Sequence, residues 1–218
     1  MRKLLTATLV ITAIVVSSCS KSTTGPGGGG EVTIDNPLPL AVGNWWGYIN
    51  YDESAMGDTT RDTIRIVGTD VVNGKTVFVA VMRDDDGNLD TTYVYKEGEY
   101  IHTIERTFWD SLITTNFVKV PLTTGDSWTV YTLSDSNFSI TINARVVGSN
   151  NVSVPAGNFN NVAEVEKQSI WSYSYGGMTY ADTSYTYFYF ANNIGIVETE
   201  DIVDSTRNVS KLEDYHLE

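Results

Sequence analysis

The chain is short of the residues from which most reactive sites are built. Cysteine occurs once, at Cys19, and histidine twice, at His102 and His216. One thiol excludes a disulfide framework, and a zinc centre or Ser-His-Asp triad would have to use one of those two histidines. Basic residues are scarce as well: 14 Lys and Arg against 27 Asp and Glu leave a net charge of −13. Nucleic acid and anionic lipid surfaces both attract basic patches, so no nucleic-acid partner is expected. After residue 18 no long unbroken apolar run occurs, and no segment carries a helical period of hydrophobicity.

What is present begins with an address. Arg2 and Lys3 precede an apolar run, Leu4 to Val16, too short for the roughly 20 residues of a membrane-crossing helix. A positive start, a short apolar core and small residues make a secretory signal over residues 1–18. Its end, Val16-Ser17-Ser18-Cys19, is the bacterial lipobox pattern, in which the Cys19 thiol takes a diacylglycerol and becomes the new N-terminus. A diacyl group plus an amide-linked chain exceeds the two signals that stable anchoring requires. Membrane attachment through this lipid is therefore expected. Ser20 and Lys21 follow in place of a retention aspartate, which points to the outer membrane. Loss of the signal leaves 12 basic residues against 27 acidic, a net charge near −15, and no free thiol.

Residues 19–35 read as a lipidated cysteine and a tether, rich in glycine from Gly25 to Gly30 and behaving as flexible coil. Residues 36–218 read as one all-β domain of about twelve strands. Val71-Val72-Asn73-Gly74-Lys75-Thr76-Val77 is a hairpin with Asn-Gly at its turn. Phe138, Ile140, Ile142, Ala144 and Val146 alternate with polar residues, and Ala163 to Tyr175 is a long strand turned back by Gly176-Gly177 towards Tyr185 to Phe190.

A pattern also repeats. Pro39-Leu40-x-x-Gly43-Asn44-x-Trp46 returns as Pro121-Leu122-x-x-Gly125-Asp126-x-Trp128, and Arg65-Ile66-Val67-Gly68 returns as Arg145-Val146-Val147-Gly148. Two pseudo-repeated halves, about 36–112 and 113–218, should share one core or close into one sheet. Trp45, Trp46 and Trp128 read as core plugs.

These marks, with Val154-Pro155-Ala156-Gly157-x-Phe159 and the stretch Tyr189 to Val197, resemble a widespread group of bacterial lipoproteins and secreted β-domains. The resemblance implies an antiparallel, barrel-like or strongly curved sheet in the cell envelope, and it brings no catalytic residues. Asn193 and Ile194 stand where that group has Gly-Val, which should loosen the turn before Gly195.

Few constellations carry chemistry. Asp84-Asp85-Asp86-Gly87-Asn88 lacks the spacing of a helical calcium loop, which leaves an acidic hairpin tip or an irregular site through Asp84, Asp86 and Asp90. Glu164 and Glu166 share a strand face, as solvated carboxylates often do. No catalytic residue, cofactor or metal ligand is assigned. The aromatics have more pull: Trp171, Tyr173 and Tyr175 line one strand face, and Tyr185, Tyr187 and Tyr189 line a neighbour's. They are either a structural ladder or a ligand-binding surface that stacks on sugar rings or rims a barrel mouth. The expectation is a lipid-anchored, non-enzymatic envelope domain with a protein or glycan partner; the alternative is a carrier of a lipid-like or carbohydrate ligand.

Overall fold

Alternation of apolar and polar side chains, punctuated by turn residues, makes strands throughout. The structure is a computed structural model and describes residues 30–52, 59–106, 111–175, 178–203 and 206–218. The signal, Cys19 and most of the tether lie outside them. In chain order the strands are β1 (Thr33–Ile34), β2 (Trp45–Asp52), β3 (Thr59–Val72), β4 (Lys75–Arg83), β5 (Leu89–Glu97), β6 (Tyr100–Arg106) and β7 (Leu112–Lys119). Then follow β8 (Leu122–Thr123), β9 (Ser127–Ser134), β10 (Phe138–Val154), β11 (Gly157–Tyr175), β12 (Met178–Ala191), β13 (Gly195–Val203) and β14 (Thr206–His216). No helix occurs among the described residues.

Twelve of the strands form one antiparallel sheet in the order β7-β6-β5-β4-β3-β2-β14-β13-β12-β11-β10-β9. It consists of two meanders, β2–β7 and β9–β14, joined where β2 pairs with β14. A sheet this wide curls under its own right-handed twist. Its edge strands meet through side chains: Trp128 Nε1 donates to the Asn116 carbonyl at 3.0 Å, and Asn116 Nδ2 donates to the Thr129 carbonyl at 3.2 Å. The result is an all-β, nearly closed barrel.

The two motif copies make matching bonds. Gly43 N–H donates to the Ile66 carbonyl (2.9 Å) and Gly125 N–H to that of Val146 (3.0 Å). Ile66 and Val146 return the bond to Asn44 and Asp126, both at 2.9 Å. Each answering strand then bulges, between Ile66 and Gly68 and between Val146 and Gly148. Gly43 and Gly125 hold φ of 104° and 88°, a backbone conformation that strains residues with a Cβ. Trp46 and Trp128 are buried as plugs. Trp45 is not: it precedes Trp46 on β2, and successive strand residues point to opposite faces. The first meander also runs through β7 to Lys119, past the expected boundary near 112.

Because consecutive strands alternate direction, the barrel has two distinct ends. One receives the chain from the tether: the Gly30 carbonyl accepts from the Ser149 hydroxyl at 3.3 Å, and β1 pairs with β8 beside it. Val32, Ile34, Leu38 and Leu40 pack there into the core. The Asn44 side chain, 1% exposed, ties this plug together by donating to the Pro39 carbonyl and accepting from the Glu218 N–H. The turn before Gly195 lies at this end and is firmly held. Asn193 adopts φ 61°, a left-handed conformation that asparagine tolerates, and its N–H donates to the Asn36 carbonyl at 2.9 Å. The substitution of Asn-Ile for Gly-Val therefore does not loosen it. The other, far end carries the β4–β5 and β9–β10 hairpins and has no such plug among the described residues.

Candidate functional site

Register across β11 and β12 decides which side chains share a face. Val165, Lys167, Ser169, Trp171 and Tyr173 stand opposite Phe188, Thr186, Ser184, Asp182 and Tyr180. Glu164, Glu166 and Gln168 stand opposite Tyr189, Tyr187 and Tyr185. Val165 packs into the same cluster as Val94, Ile101 and Val118 of the other meander. The first row therefore faces the lumen and the second faces outward. This corrects the expectation of one aromatic surface. Trp171 and Tyr173 point inward, whereas Tyr185, Tyr187 and Tyr189 point outward, because the two sets differ by one residue in register. Tyr175 closes β11 opposite Met178.

The outer row is a worked-out lattice. Arg145 grips Glu166 through Nε (2.9 Å) and a terminal nitrogen (3.1 Å). Asn150 donates to Glu164, Gln168 donates to the Tyr185 hydroxyl at 3.0 Å, and Arg207 pairs with Glu200. Lys211 sits 3.4 Å from Glu198, whose carboxyl burial pushes upward. Burial, then the surrounding glutamates, raises the Tyr187 and Tyr189 hydroxyls above the ordinary tyrosine range. Glu164 and Glu166 are thus engaged by partners and do not stand as a free carboxylate pair.

The inner row is different. At its far end Trp171, Tyr173 and Tyr180 form one pile, with centroids 5.9 and 4.9 Å apart and ring planes within 9° and 16° of parallel. Asp182, directly opposite Trp171, accepts only from the neighbouring Thr183 N–H. Next inward come Ser169 and Ser184, two small half-buried residues whose hydroxyls show no hydrogen bond among the described residues. Below them Lys167, 8% exposed, lies 4.8 Å over the Phe188 ring without an ion pair. Burial lowers its pKa, and Asp201 and Glu105 offset this in part. A cavity of about 10 Å³ between Phe117, Ala144, Phe190 and the Lys167 stem has room for about one water.

Several polar groups on the other lumen walls are matched within the chain. Asn50 donates to Asp62 at 2.7 Å and accepts from Ser210. Thr103 bonds Thr115 at 2.8 Å, and Thr186 donates to Asp201 at 2.7 Å. Desolvation raises the Asp62 and Glu105 carboxyls.

The other candidates resolve as local structure. Asp84 spends its carboxylate on the Asn88 N–H and side-chain amide, both 2.7 Å away, as a hairpin tip does. Among the described residues no group of three acids, histidines or cysteines could hold a metal. His102 stacks on Tyr95 at 4.7 Å on the outer face, with its buried Nδ1 unpartnered. His216 lies near the C-terminus beside Glu218. Sequence reasoning missed Tyr180, Asp182, Ser169, Ser184 and Lys167. The signal was there: a turn expected at Gly176-Gly177, which lie outside the described residues, would set Trp171 opposite Asp182, as is seen.

Two solved structures share this fold. One is a candidate lipoprotein from Parabacteroides distasonis, 16% identical, with a TM-score of 0.54 over 85% of this chain and 99% of that chain. The other is a candidate exported protein with a YmcC-like fold from Bacteroides fragilis, 18% identical, with a TM-score of 0.54 over 85% of this chain and all of that chain. No family model matches the chain, and no curated protein matches it.

Proposed function

We propose that this chain is a lipid-anchored, non-catalytic binding module of the bacterial cell envelope, held at the outer membrane through Cys19. Its barrel presents the far end to an envelope partner, a protein or a glycan. One observation carries this reading: the two ends are built for different tasks. The tether enters at the plugged end, beside Ser149. At the far end large apolar side chains stand in water: Leu89 (70% exposed), Met178 (59%) and Leu133 (48%), with Leu112, Tyr180 and Ile202 also exposed. Among the described residues the tether end exposes only the smaller valines Val42, Val67, Val71 and Val147, whereas the far end exposes leucine, methionine, tyrosine and isoleucine, and large exposed apolar groups mark interaction surfaces. The fold neighbours, described as a lipoprotein and an exported protein, support an envelope placement.

Carriage of a lipid inside the barrel fits less well. Phe117, Phe188 and Phe190 fill the lumen beside Lys167, and the cavity between them is water-sized.

Two measurements test the reading. Labelled palmitate should enter the full chain and fail to enter Cys19→Ser. A photo-crosslinking residue at Leu89 or Leu133 should capture envelope partners in cells, whereas one at Val71, exposed by the β3–β4 turn of the tether end, should not. Equal capture from both ends would refute it.

A further inference from the structure

Within that far-end reading, on which this step rests, we infer that the far half of the seam between β7 and β9 takes an extended strand from a partner polypeptide. These two strands end the sheet, and no backbone ladder joins them. Two side-chain bonds bridge them, from Trp128 to the Asn116 carbonyl and from Asn116 to the Thr129 carbonyl. From that level to the far end no hydrogen bond crosses the seam among the described residues. Burial changes at the same place. β9 alternates between exposed and buried as far as Val130, and then Thr132, Leu133 and Ser134 are all exposed. Leu133 stands opposite Ile140 of the core cluster and Thr132 opposite Thr141, so both faces of β9 are open there. On β7, Leu112 and Thr114 are exposed as well.

The composition of the two edges is the reverse of a guarded one. Natural sheets blunt their edges with charge, above all lysine, or with proline. Every other strand of this sheet carries at least one Asp, Glu, Lys or Arg. β9 carries none, and β7 only Lys119 at its tether end, where Asp126 pairs with it. Neither strand contains proline. Mutual cover accounts for the tether half, where Val118, Trp128 and Val130 are buried. It does not account for the far half, which is uncharged and uncovered.

Backbone chemistry selects the ligand class. A strand edge presents N–H and C=O groups in alternation, and an extended polypeptide repeats the same row in complement. A glycan or a lipid has no such repeat. Alternate side chains of the added strand fall on opposite faces of the sheet. Those on the lumen face meet Leu133 and Tyr131, so apolar groups belong there; those outside meet Thr132, which accepts polar, uncharged ones.

The test uses a fluorescent synthetic peptide copying Leu112–Lys119, the strand that stands beside β9 across the seam, titrated with the full chain in detergent and read by anisotropy. Saturable binding is expected. Two further peptides carry N-methyl groups on alternate amides, in the two possible phases, which removes backbone donors and keeps every side chain. At least one phase should weaken binding at least about tenfold. One phase does so if the peptide lies along a single edge, both if it lies between β7 and β9. Thr132→Lys, a charge set on the open edge, should also weaken binding at least about tenfold. Val71→Lys at the tether end should leave it unchanged, and circular dichroism should report both variants as folded. The N-methyl series needs no variant, so it decides even if Thr132→Lys does not fold. Absence of peptide binding, or binding that both N-methyl phases leave intact, overturns the inference. So does sedimentation of the full chain as a dimer that Thr132→Lys dissociates, because a second copy would then occupy the edge. If far-end crosslinks still form in those cases, only the strand assignment fails; if they are absent, the far-end reading fails with it.

Discussion

The two faces of the β11–β12 pair share one backbone and differ in how their polar groups are answered. Outside, Arg145 meets Glu166, Asn150 meets Glu164 and Gln168 meets Tyr185. Inside, Ser169 and Ser184 show no hydrogen bond among the described residues, and Lys167 lies over the Phe188 ring without an ion pair. Aromatic residues stand on both faces, so aromatic content does not separate a structural surface from a binding one. Completion does. A surface that has closed its own hydrogen bonds offers a ligand little. The outer tyrosines are therefore read as sheet architecture.

Substitutions that push the two faces apart should rank by what each face does. The largest effect belongs to the base of the inner row. Phe190 is 1% exposed and packs its edge against Phe117. Phe190→Ala should cost about 3–5 kcal/mol, because it removes the ring and leaves a cavity that a barrel wall cannot collapse to fill. Urea unfolding of the full chain should show a lower midpoint with an unchanged slope. A loss below about 1 kcal/mol would mean that the lumen is not packed as described.

Next comes the open group itself, with the opposite sign. Burial lowers the Lys167 pKa from its ordinary value of 10.5. Below the folded-state value both folded and unfolded chains hold the proton, and the folded chain bears a buried, unpaired ammonium. As pH rises towards 10.5 the folded chain releases its proton first, so the wild type gains stability across that interval. Lys167→Met should therefore stabilise the fold by about 1 kcal/mol on the acidic side, with the gain shrinking as pH rises. Thermal melts across a pH series give the answer. A loss of stability on removing the amine would show that Lys167 is paired in solution.

A smaller effect is expected where the outer face is complete but wet. Arg145 is 62% exposed while its partner Glu166 is 15% exposed. Arg145→Ala should cost about 0.5–1 kcal/mol at low salt and less at high salt, since one end of the pair is screened. A cost that ignores salt would place the guanidinium in a drier site than its exposure implies.

How much of this was legible beforehand varies with the range of the interaction. Strand identity, the Asn73-Gly74 turn and the repeated Gly43 and Gly125 corners follow from local chemistry, and all are seen. The meander order follows from short hairpins. Closure of β7 against β9 does not, because Trp128 and Asn116 reach across a gap that no local pattern records. Trp45 and Trp46 show a one-residue limit: composition said tryptophan plug, and only register says which of the two is inside. The same limit divided the aromatics. Gly176-Gly177 held enough information to pair Trp171 with Asp182, but an alternating strand read alone does not say which face is the lumen. Lys167 was illegible for a related reason. A lysine on an alternating strand reads as solvent-facing unless the far wall of the barrel is known.

The finest division between the faces is the tyrosine hydroxyl. Tyr187 reaches Glu166 at 3.5 Å, the long limit of a hydrogen bond, and Glu166 already has Arg145. Its ring packs in the outer row whether or not the oxygen is present. Tyr187→Phe should thus change stability by no more than about 0.5 kcal/mol, measured by the urea midpoint. A larger loss would mean that the hydroxyl holds Glu166 in place for the arginine, and the Arg145→Ala and Tyr187→Phe effects would then fail to add in the double variant. Additivity would leave the outer lattice as a sum of separate pairs, each small.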